Sequence, residues 1–142
     1  MLGFTHLTFA LFLEGNTSLI NVTLASFGSL FPDIDTFGVL SKVVKNKPRN
    51  LKHRGILHTP FVYVVILCIY YFIFGNFGIA PFIVGVFSHL FLDFITVEGI
   101  PIFYPISSRK FHIIGFRTGS LVDVSMSFFF LFFFILRLFK LI

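Results

Sequence analysis

The chain has 142 residues, the length of one domain, of which 56% are hydrophobic and only 12% are charged. An average soluble domain has about 25% charged residues, so this chain cannot cover itself with a water-exposed surface. The composition excludes an ordinary soluble protein and makes the lipid bilayer the expected solvent. The net charge of +5 does not indicate a nucleic-acid partner, because the basic residues lie in loops between apolar runs, where membrane orientation explains them.

Five apolar runs predict an all-α, polytopic membrane helix bundle, formed by residues 1–142 as a single domain. Two short runs form an N-terminal helical hairpin, and three longer runs approach the roughly 20 residues that a bilayer requires. Helix is preferred over strand because the runs lack strict alternation and a spanning segment must satisfy its own backbone. The expected segments are Leu2–Leu13, Leu19–Phe31, Leu57–Phe74, Phe77–Ile95 and Leu121–Leu141.

The basic residues are distributed unequally between the two sides of such a bundle. If all five runs cross, the N-terminus and the loops after the second and fourth runs share one side. All of the 11 Lys and Arg residues except Arg137 and Lys140 lie on that side. The positive-inside rule predicts a multi-pass protein of the inner (cytoplasmic) membrane, with its N-terminus in the cytoplasm.

His89 and Asp93 stand four residues apart in the run SHLFLD and therefore share one face of a predicted helix. Such groups are expensive near hydrocarbon and usually face the bundle interior with a partner. One interpretation is a hydrogen-bonded pair that only ties helices together. The other is a shared metal ion, because imidazole and carboxylate are ligands for zinc and similar ions.

Further candidate ligands lie at the same predicted cytoplasmic ends of the helices. Each has a plainer explanation: a solvated histidine near a basic loop, or a polar stop at the membrane edge. Taken together they predict a site for one or two divalent ions, with zinc expected. They are His6 in the first run, Asp33 and Asp35 in the run PDID, and His53 and His58 in the run HRGILHT.

Two other residues near these ends also have two interpretations. Asp123 follows Ser120 by three positions, an S-x-x-D pattern that favours a helix cap over a ligand. Arg54 suits an anionic substrate through bidentate contacts, but it also serves as a cytoplasmic anchor. A carboxylate that the metal does not need, Asp33 or Asp35, is the candidate general base.

In this order, His6, PDID, HRGILHT and SHLFLDFITVEGIPIFYPIS resemble the YdjM-type family of inner-membrane proteins, assigned as metal-dependent hydrolases. That family is distantly similar to zinc-dependent phospholipase C and P1 nuclease, helical enzymes with clustered metal ions. The resemblance implies a metal centre built from His6, one of Asp33 and Asp35, both histidines of HRGILHT, and the SHLFLD pair. It also implies that Glu98 or His112 replaces ligands that the soluble enzymes take from further along their chains.

The function expected from the residues and the resemblance is metal-dependent hydrolysis of a phosphoester at the cytoplasmic interface. A phospholipid or another lipid-linked phosphate is the expected substrate, and membrane lipid the expected partner. A non-catalytic metal-binding or metal-transporting membrane protein would use the same ligands, although a transporter should place them near the bilayer midplane. A third alternative is a structural or lipid-binding protein whose polar cluster only locks helices together.

Overall fold

The computed structural model describes residues 1–35, 54–76 and 78–142, and for Asp35 the backbone alone. All regular elements within these ranges are helical, as predicted, apart from isolated β-bridges in the loop that follows the fourth helix. The elements are α1 (Gly3–Glu14), α2 (Leu19–Leu30), a 3₁₀ turn (Phe31–Asp35), a second 3₁₀ turn (Ile56–His58), α3 (Pro60–Phe74), α4 (Ile79–Phe94) and α5 (Leu121–Leu138).

Capping side chains and proline determine where several of these helices begin. The Ser18 hydroxyl accepts a hydrogen bond from the Asn21 backbone N–H at the start of α2. Ser120 does the same for the Asp123 N–H at the start of α5, which confirms the predicted cap. The third helix begins at Pro60 rather than at Leu57, because proline lacks an N–H donor and suits the first helical position.

The helices pack around α1, which contacts α2, α4 and α5. The most extensive contact joins α2 to α4, and glycines allow the two backbones to approach closely. A Cβ atom on Gly85 would overlap the carbonyl oxygen of Ala25, and one on Gly28 would overlap that of Phe82. Small residues at this crossing therefore set the separation between α2 and α4.

One helix in the described part of the chain is long and apolar enough to span a membrane. This helix is α5, with 18 residues, a mean hydropathy of 2.1 and only 17% of its residues buried. The other two segments predicted as longer spans are shorter: α3 has 15 residues and α4 has 16. Large apolar side chains remain exposed on α3 and α5, for example Phe72 and Phe128.

The alternating directions of the helices bring their polar ends to one end of the bundle. The amino group of Met1, before α1, donates to the Asp93 carboxylate in the last turn of α4. The Leu2 N–H donates to the Asp123 carboxylate in the first turn of α5, and His58, before α3, contacts Asp33, after α2. Five chain segments that are distant in sequence thus meet around one polar cluster.

Candidate metal centre

Two histidines form the middle of the cluster. The Nε2 atoms of His58 and His89 lie 3.2 Å apart, and both side chains are fully buried. The Nδ1 atom of His89 lies 2.6 Å from the Ser29 carbonyl oxygen. Because that oxygen only accepts, Nδ1 carries a proton, and the other ring nitrogen, Nε2, faces His58. This arrangement presents a nitrogen donor atom to the cluster and fixes its direction.

Carboxylate oxygens from two segments surround the two histidine nitrogens. The Oδ1 atom of Asp33 lies 3.3 Å from Nε2 of His58 and 3.7 Å from Nε2 of His89. The Oδ2 atom of Asp93 lies 3.5 Å from Nε2 of His58 and 3.7 Å from that of His89. The i, i+4 pair of α4 is therefore too far apart for a hydrogen bond, and both members face a common centre.

These separations fit the edges of a small coordination polyhedron. Zinc bonds of about 2.0 Å to nitrogen and oxygen in a tetrahedron place neighbouring ligand atoms about 3.3 Å apart. Each of the two carboxylate oxygens lies 3.3 to 3.7 Å from both histidine nitrogens, which are themselves 3.2 Å apart. The donor set of two imidazoles and two carboxylates also suits zinc and similar divalent ions. His58, His89 and Asp93 form a buried group that could hold a metal ion.

His6 lies on the other side of the His89 ring. The two imidazoles stack with their centroids 3.8 Å apart and their planes inclined by 14°. Nε2 of His6 lies 3.3 Å from Oδ1 of Asp93. His6, Asp33 and His89 form a second group that could hold an ion, but it shares His89 with the first. The two groups therefore cannot both use the Nε2 atom of His89.

The Oδ1 atom of Asp93 is held by cationic groups. Nη2 of Arg54 and the amino group of Met1 each donate to this oxygen at 2.8 Å. Nη1 of Arg54 donates to the Thr96 hydroxyl at 2.6 Å, and this hydroxyl donates to the Asp93 carbonyl oxygen. The Arg54 fork thus holds the Asp93 side chain from behind, with its Oδ2 atom toward the histidines.

Arg54 adopts an uncommon backbone conformation to reach this position. Its φ angle is +57°, in the left-handed region that residues other than glycine, asparagine and aspartate rarely occupy. Its side chain is 2% exposed, and Nε lies 3.5 Å from the carboxylate of Glu98. Strain of this kind persists where the surrounding contacts over-determine it, and here those contacts involve a candidate metal ligand.

Burial also sets the protonation of His58, which lies in the 3₁₀ turn before α3. Burial lowers the pKa of His58 below its ordinary value of 6.5, against the opposing effect of the hydrogen-bonded Asp33 carboxylate. The imidazole is therefore neutral at neutral pH. A neutral imidazole is the form that binds a metal ion.

The structure brings most, but not all, of the predicted residues together. His6, Asp33, His58, His89, Asp93 and Arg54 meet in the cluster. His53 lies outside the described residues, as does the side chain of Asp35. Glu98 reaches Arg54 but none of the candidate ligands that the structure describes, and His112 is exposed, so neither lies among the described residues of the cluster. Arg54 contacts Asp93 and Thr96 rather than standing open to an anion.

Sequence reasoning missed several residues that support the cluster. Thr96 lies three positions after Asp93, and this helical spacing is a signal that could have found it. Thr5 donates to the Asp123 carboxylate at 2.6 Å, and that carboxylate also accepts from the Gly119 and Leu2 N–H groups. Asp123 thus joins the start of α5 to the start of α1. The role of the Ser29 carbonyl oxygen has no signal in the sequence.

The fold and the cluster together define a small helical protein with apolar exposed helices and a buried histidine–carboxylate group at one end. Comparison with known proteins agrees with this class. Residues 1–140 match the family described as YdjM inner membrane protein, and the chain belongs to that family. Membrane localisation follows from this membership.

Two curated relatives come from Methanothermobacter thermautotrophicus. The chain is 32% identical to uncharacterized protein ORF4 over 87 residues. This aligned region covers 61% of this chain and 36% of the relative. It is 35% identical to uncharacterized protein ORF4' over 69 residues. This aligned region covers 49% of this chain and 29% of that relative. The chain thus spans about a third of the length of these relatives. No solved structure matches it.

Proposed function

We propose that this protein is a metal-dependent hydrolase of the inner membrane that cleaves a phosphoester of a lipid or lipid-linked substrate. The observation that carries the proposal is the buried convergence of His58 Nε2, His89 Nε2 and an oxygen of Asp93 within ligand-sharing distance. Two imidazoles and one carboxylate are a typical ligand set of catalytic zinc, which keeps a further position for water. A divalent ion held by these residues would lower the pKa of a bound water and would stabilise negative charge on phosphoryl oxygens.

Burial divides the two carboxylates into different roles. Asp93 is 1% exposed and clamped by Arg54, which suits a permanent ligand. Asp33 is 15% exposed, on the short 3₁₀ turn that ends α2. We assign Asp33 the role of general base, because it lies beside the histidine nitrogens and retains access to solvent. It accepts the proton of the attacking water and is expected to return it to the leaving oxygen.

The position of the cluster favours a lipid head group as substrate. The candidate ligands lie at the ends of the helices and not at their centres, so they fit the interface where phosphate groups are found. This placement also disfavours transport, which needs a binding site near the midplane. The loops at this end carry Arg109, Lys110 and Arg117, and positively charged loops favour the cytoplasmic side.

The test combines metal analysis with a substrate screen on purified protein in detergent. Wild-type protein loaded with zinc is assayed against a soluble phosphodiester and a panel of phospholipids, and bound metal per monomer is determined on the same sample. Asp93→Asn should lose both metal and hydrolysis. Asp33→Asn should keep the metal and lose at least about a hundredfold in rate, as expected for a general base.

A second candidate function follows from the degree of burial. If Asp33 also binds the ion, four protein ligands close the site, and closed sites are typical of structural zinc. Asp33→Asn would then lose metal as Asp93→Asn does, and the protein would hydrolyse none of the substrates. Absence of metal from carefully purified wild-type protein would contradict both functions.

A further inference from the structure

A second polar site lies next to the candidate metal centre, in the loop between α4 and α5. Thr96 and Phe116 pair in a parallel bridge, and the Val97 N–H donates to the Phe116 carbonyl oxygen at 3.0 Å. The two segments that continue from this bridge line an open pocket of about 250 Å³. It is lined by Thr96, Val97, Glu98, Phe116, Arg117 and Thr118. This volume is below that of drug-sized sites and suits a small polar group.

A single side chain connects this pocket to the cluster. Thr96 is one of the residues that line the pocket, and its buried hydroxyl accepts from Nη1 of Arg54 at 2.6 Å. Nη2 of the same guanidinium donates to the Asp93 carboxylate at 2.8 Å. Thr96 and Arg54 thus link the lining of the pocket to a candidate metal ligand.

The pocket presents one negative and one positive charge. The Glu98 side chain is 60% exposed, and its Oε2 atom lies 3.5 Å from Nε of Arg54, beyond the usual range of an N–H···O hydrogen bond. Its carboxylate thus keeps capacity for another donor. Arg117 is exposed, and within the described residues its guanidinium makes no hydrogen bond or ion pair. The Glu98 and Arg117 side chains of the pocket are therefore complementary to a ligand that carries both a positive and a negative charge.

We propose that this pocket binds the zwitterionic part of a phosphoester, with an ammonium group on Glu98 and phosphate oxygens on Arg117. The inference rests on the proposed function, since it names the head-group class of that substrate. A guanidinium binds phosphate in a bidentate manner, and a carboxylate accepts from ammonium in a charge-assisted bond. A phosphoethanolamine group carries both an ammonium for Glu98 and a phosphate for Arg117, whether it belongs to a membrane lipid or to a free molecule.

The test measures binding without hydrolysis. Full-length protein, stripped of metal with a chelator, is titrated with glycerophosphoethanolamine and with glycerophosphoglycerol, which lacks the ammonium group. Wild-type protein should bind the first about tenfold more tightly, the contribution expected from one hydrogen bond to a charged group. Glu98→Gln should remove this preference. Arg117→Gln should weaken both ligands, whereas Arg109→Gln, in the same loop but outside the pocket, should weaken neither.

Equal binding of the two probes by the wild type would overturn the inference, as would equal losses in the two arginine variants. A second measurement, with zinc-loaded protein in phosphatidylethanolamine and phosphatidylglycerol vesicles, distinguishes a lipid from a free phosphoester as the source of the head group. Preferential binding of the probe without hydrolysis of any lipid would leave the pocket standing and contradict the proposed function. Hydrolysis of both lipids at one rate would support the hydrolase and refute the pocket.

Discussion

The Nε2 atoms of His58 and His89 face each other at 3.2 Å, and both side chains are fully buried. His89 donates from Nδ1 to the Ser29 carbonyl oxygen, and in the neutral tautomer with this proton its Nε2 atom holds the lone pair. Nε2 of His58 lies 3.3 Å from the Asp33 carboxylate and carries a proton where it donates to that oxygen. Without that proton, the two nitrogen lone pairs would repel unless a cation lay between them. Asp33 and Asp93 oxygens also lie within 3.7 Å of these nitrogens, and imidazole and carboxylate are ligands that suit a divalent cation.

The first prediction is that either histidine variant loses the metal. His58→Ala and His89→Ala should each reduce bound zinc from about one ion per monomer to a small fraction, because one coordination position is left open. The apolar helices should still insert, since removal of a polar group does not oppose insertion. The measurement is metal per monomer after gel filtration, with His112→Ala, an exposed histidine, as control. Wild-type metal content in both cluster variants would contradict the assignment.

The general position of the cluster could be predicted from the sequence because its signals are local. The spacing of His89 and Asp93 identifies one helix face, and Pro32 before Asp33 marks the end of a helix. The unequal distribution of Lys and Arg between the two sides of the bundle then places these helix ends on the same side, whatever the details of helix packing. The helical fold follows from similar local signals, since long apolar runs without alternation favour helix.

The contacts behind the ligands could not be predicted, because they depend on how distant segments approach each other. Arg54 reaches Asp93 only through its left-handed backbone, and the carbonyl oxygen of Ser29 reaches His89 only because glycines bring α2 close to α4. Neither of these two contacts joins residues at a regular spacing along the sequence. The lengths of the spans were also overestimated, because Pro60 starts α3 and a left-handed Gly78 precedes α4.

The second prediction concerns Arg54 as a positioning residue. Arg54→Lys keeps the charge but replaces the planar guanidinium, which uses separate nitrogens for Asp93 and Thr96, by a single shorter ammonium, so the Asp93 carboxylate loses its fixed orientation. We expect zinc affinity to fall by about 10- to 100-fold, the usual effect of removing a group that orients a ligand. A competition titration with a zinc chelator measures it. Arg109→Lys is the matched control, and equal affinities of the two variants would refute the positioning role.

The third prediction links helix packing to the cluster. Gly85→Ala places a Cβ atom against the Ala25 carbonyl oxygen and must move α2 away from α4. We expect a loss of about 1–3 kcal/mol in stability and weaker zinc binding, because Ser29 on α2 orients His89. Gly3→Ala is the control, because a Cβ atom there meets nothing within 4 Å. It should be neutral or slightly stabilising. Thermal unfolding in detergent measures the stability of both variants. Similar melting temperatures for Gly85→Ala and Gly3→Ala would contradict the packing argument.

The fourth prediction is a loss of stability on acidification of the metal-free protein. The pKa of His58 in the folded protein is lowered by burial from 6.5, so below that pH the unfolded chain binds more protons. The stability from a neutral His58 is complete above about pH 6.5 and declines as the pH falls, by at most about 1.4 kcal/mol per pH unit. Melting temperatures between about pH 8 and pH 5 should therefore drop less in His58→Gln than in wild type. Parallel curves for the two proteins would remove His58 as the cause, and His112→Gln should follow the wild type.

The last prediction concerns orientation in the membrane. Ser108, between α4 and α5, lies at the end of the bundle that holds the cluster, and Asn16, in the turn after α1, lies at the opposite end; both are exposed. Cys68 is the single cysteine, so Cys68→Ala provides a background without thiols. If the basic loops face the cytoplasm, an impermeant thiol reagent should label Asn16→Cys in intact cells and Ser108→Cys only after permeabilisation. Labelling of both from outside would show that the bundle does not separate these ends across the membrane. Labelling of Ser108→Cys alone would place the candidate metal centre on the outer side, and the cytoplasmic assignment would be wrong.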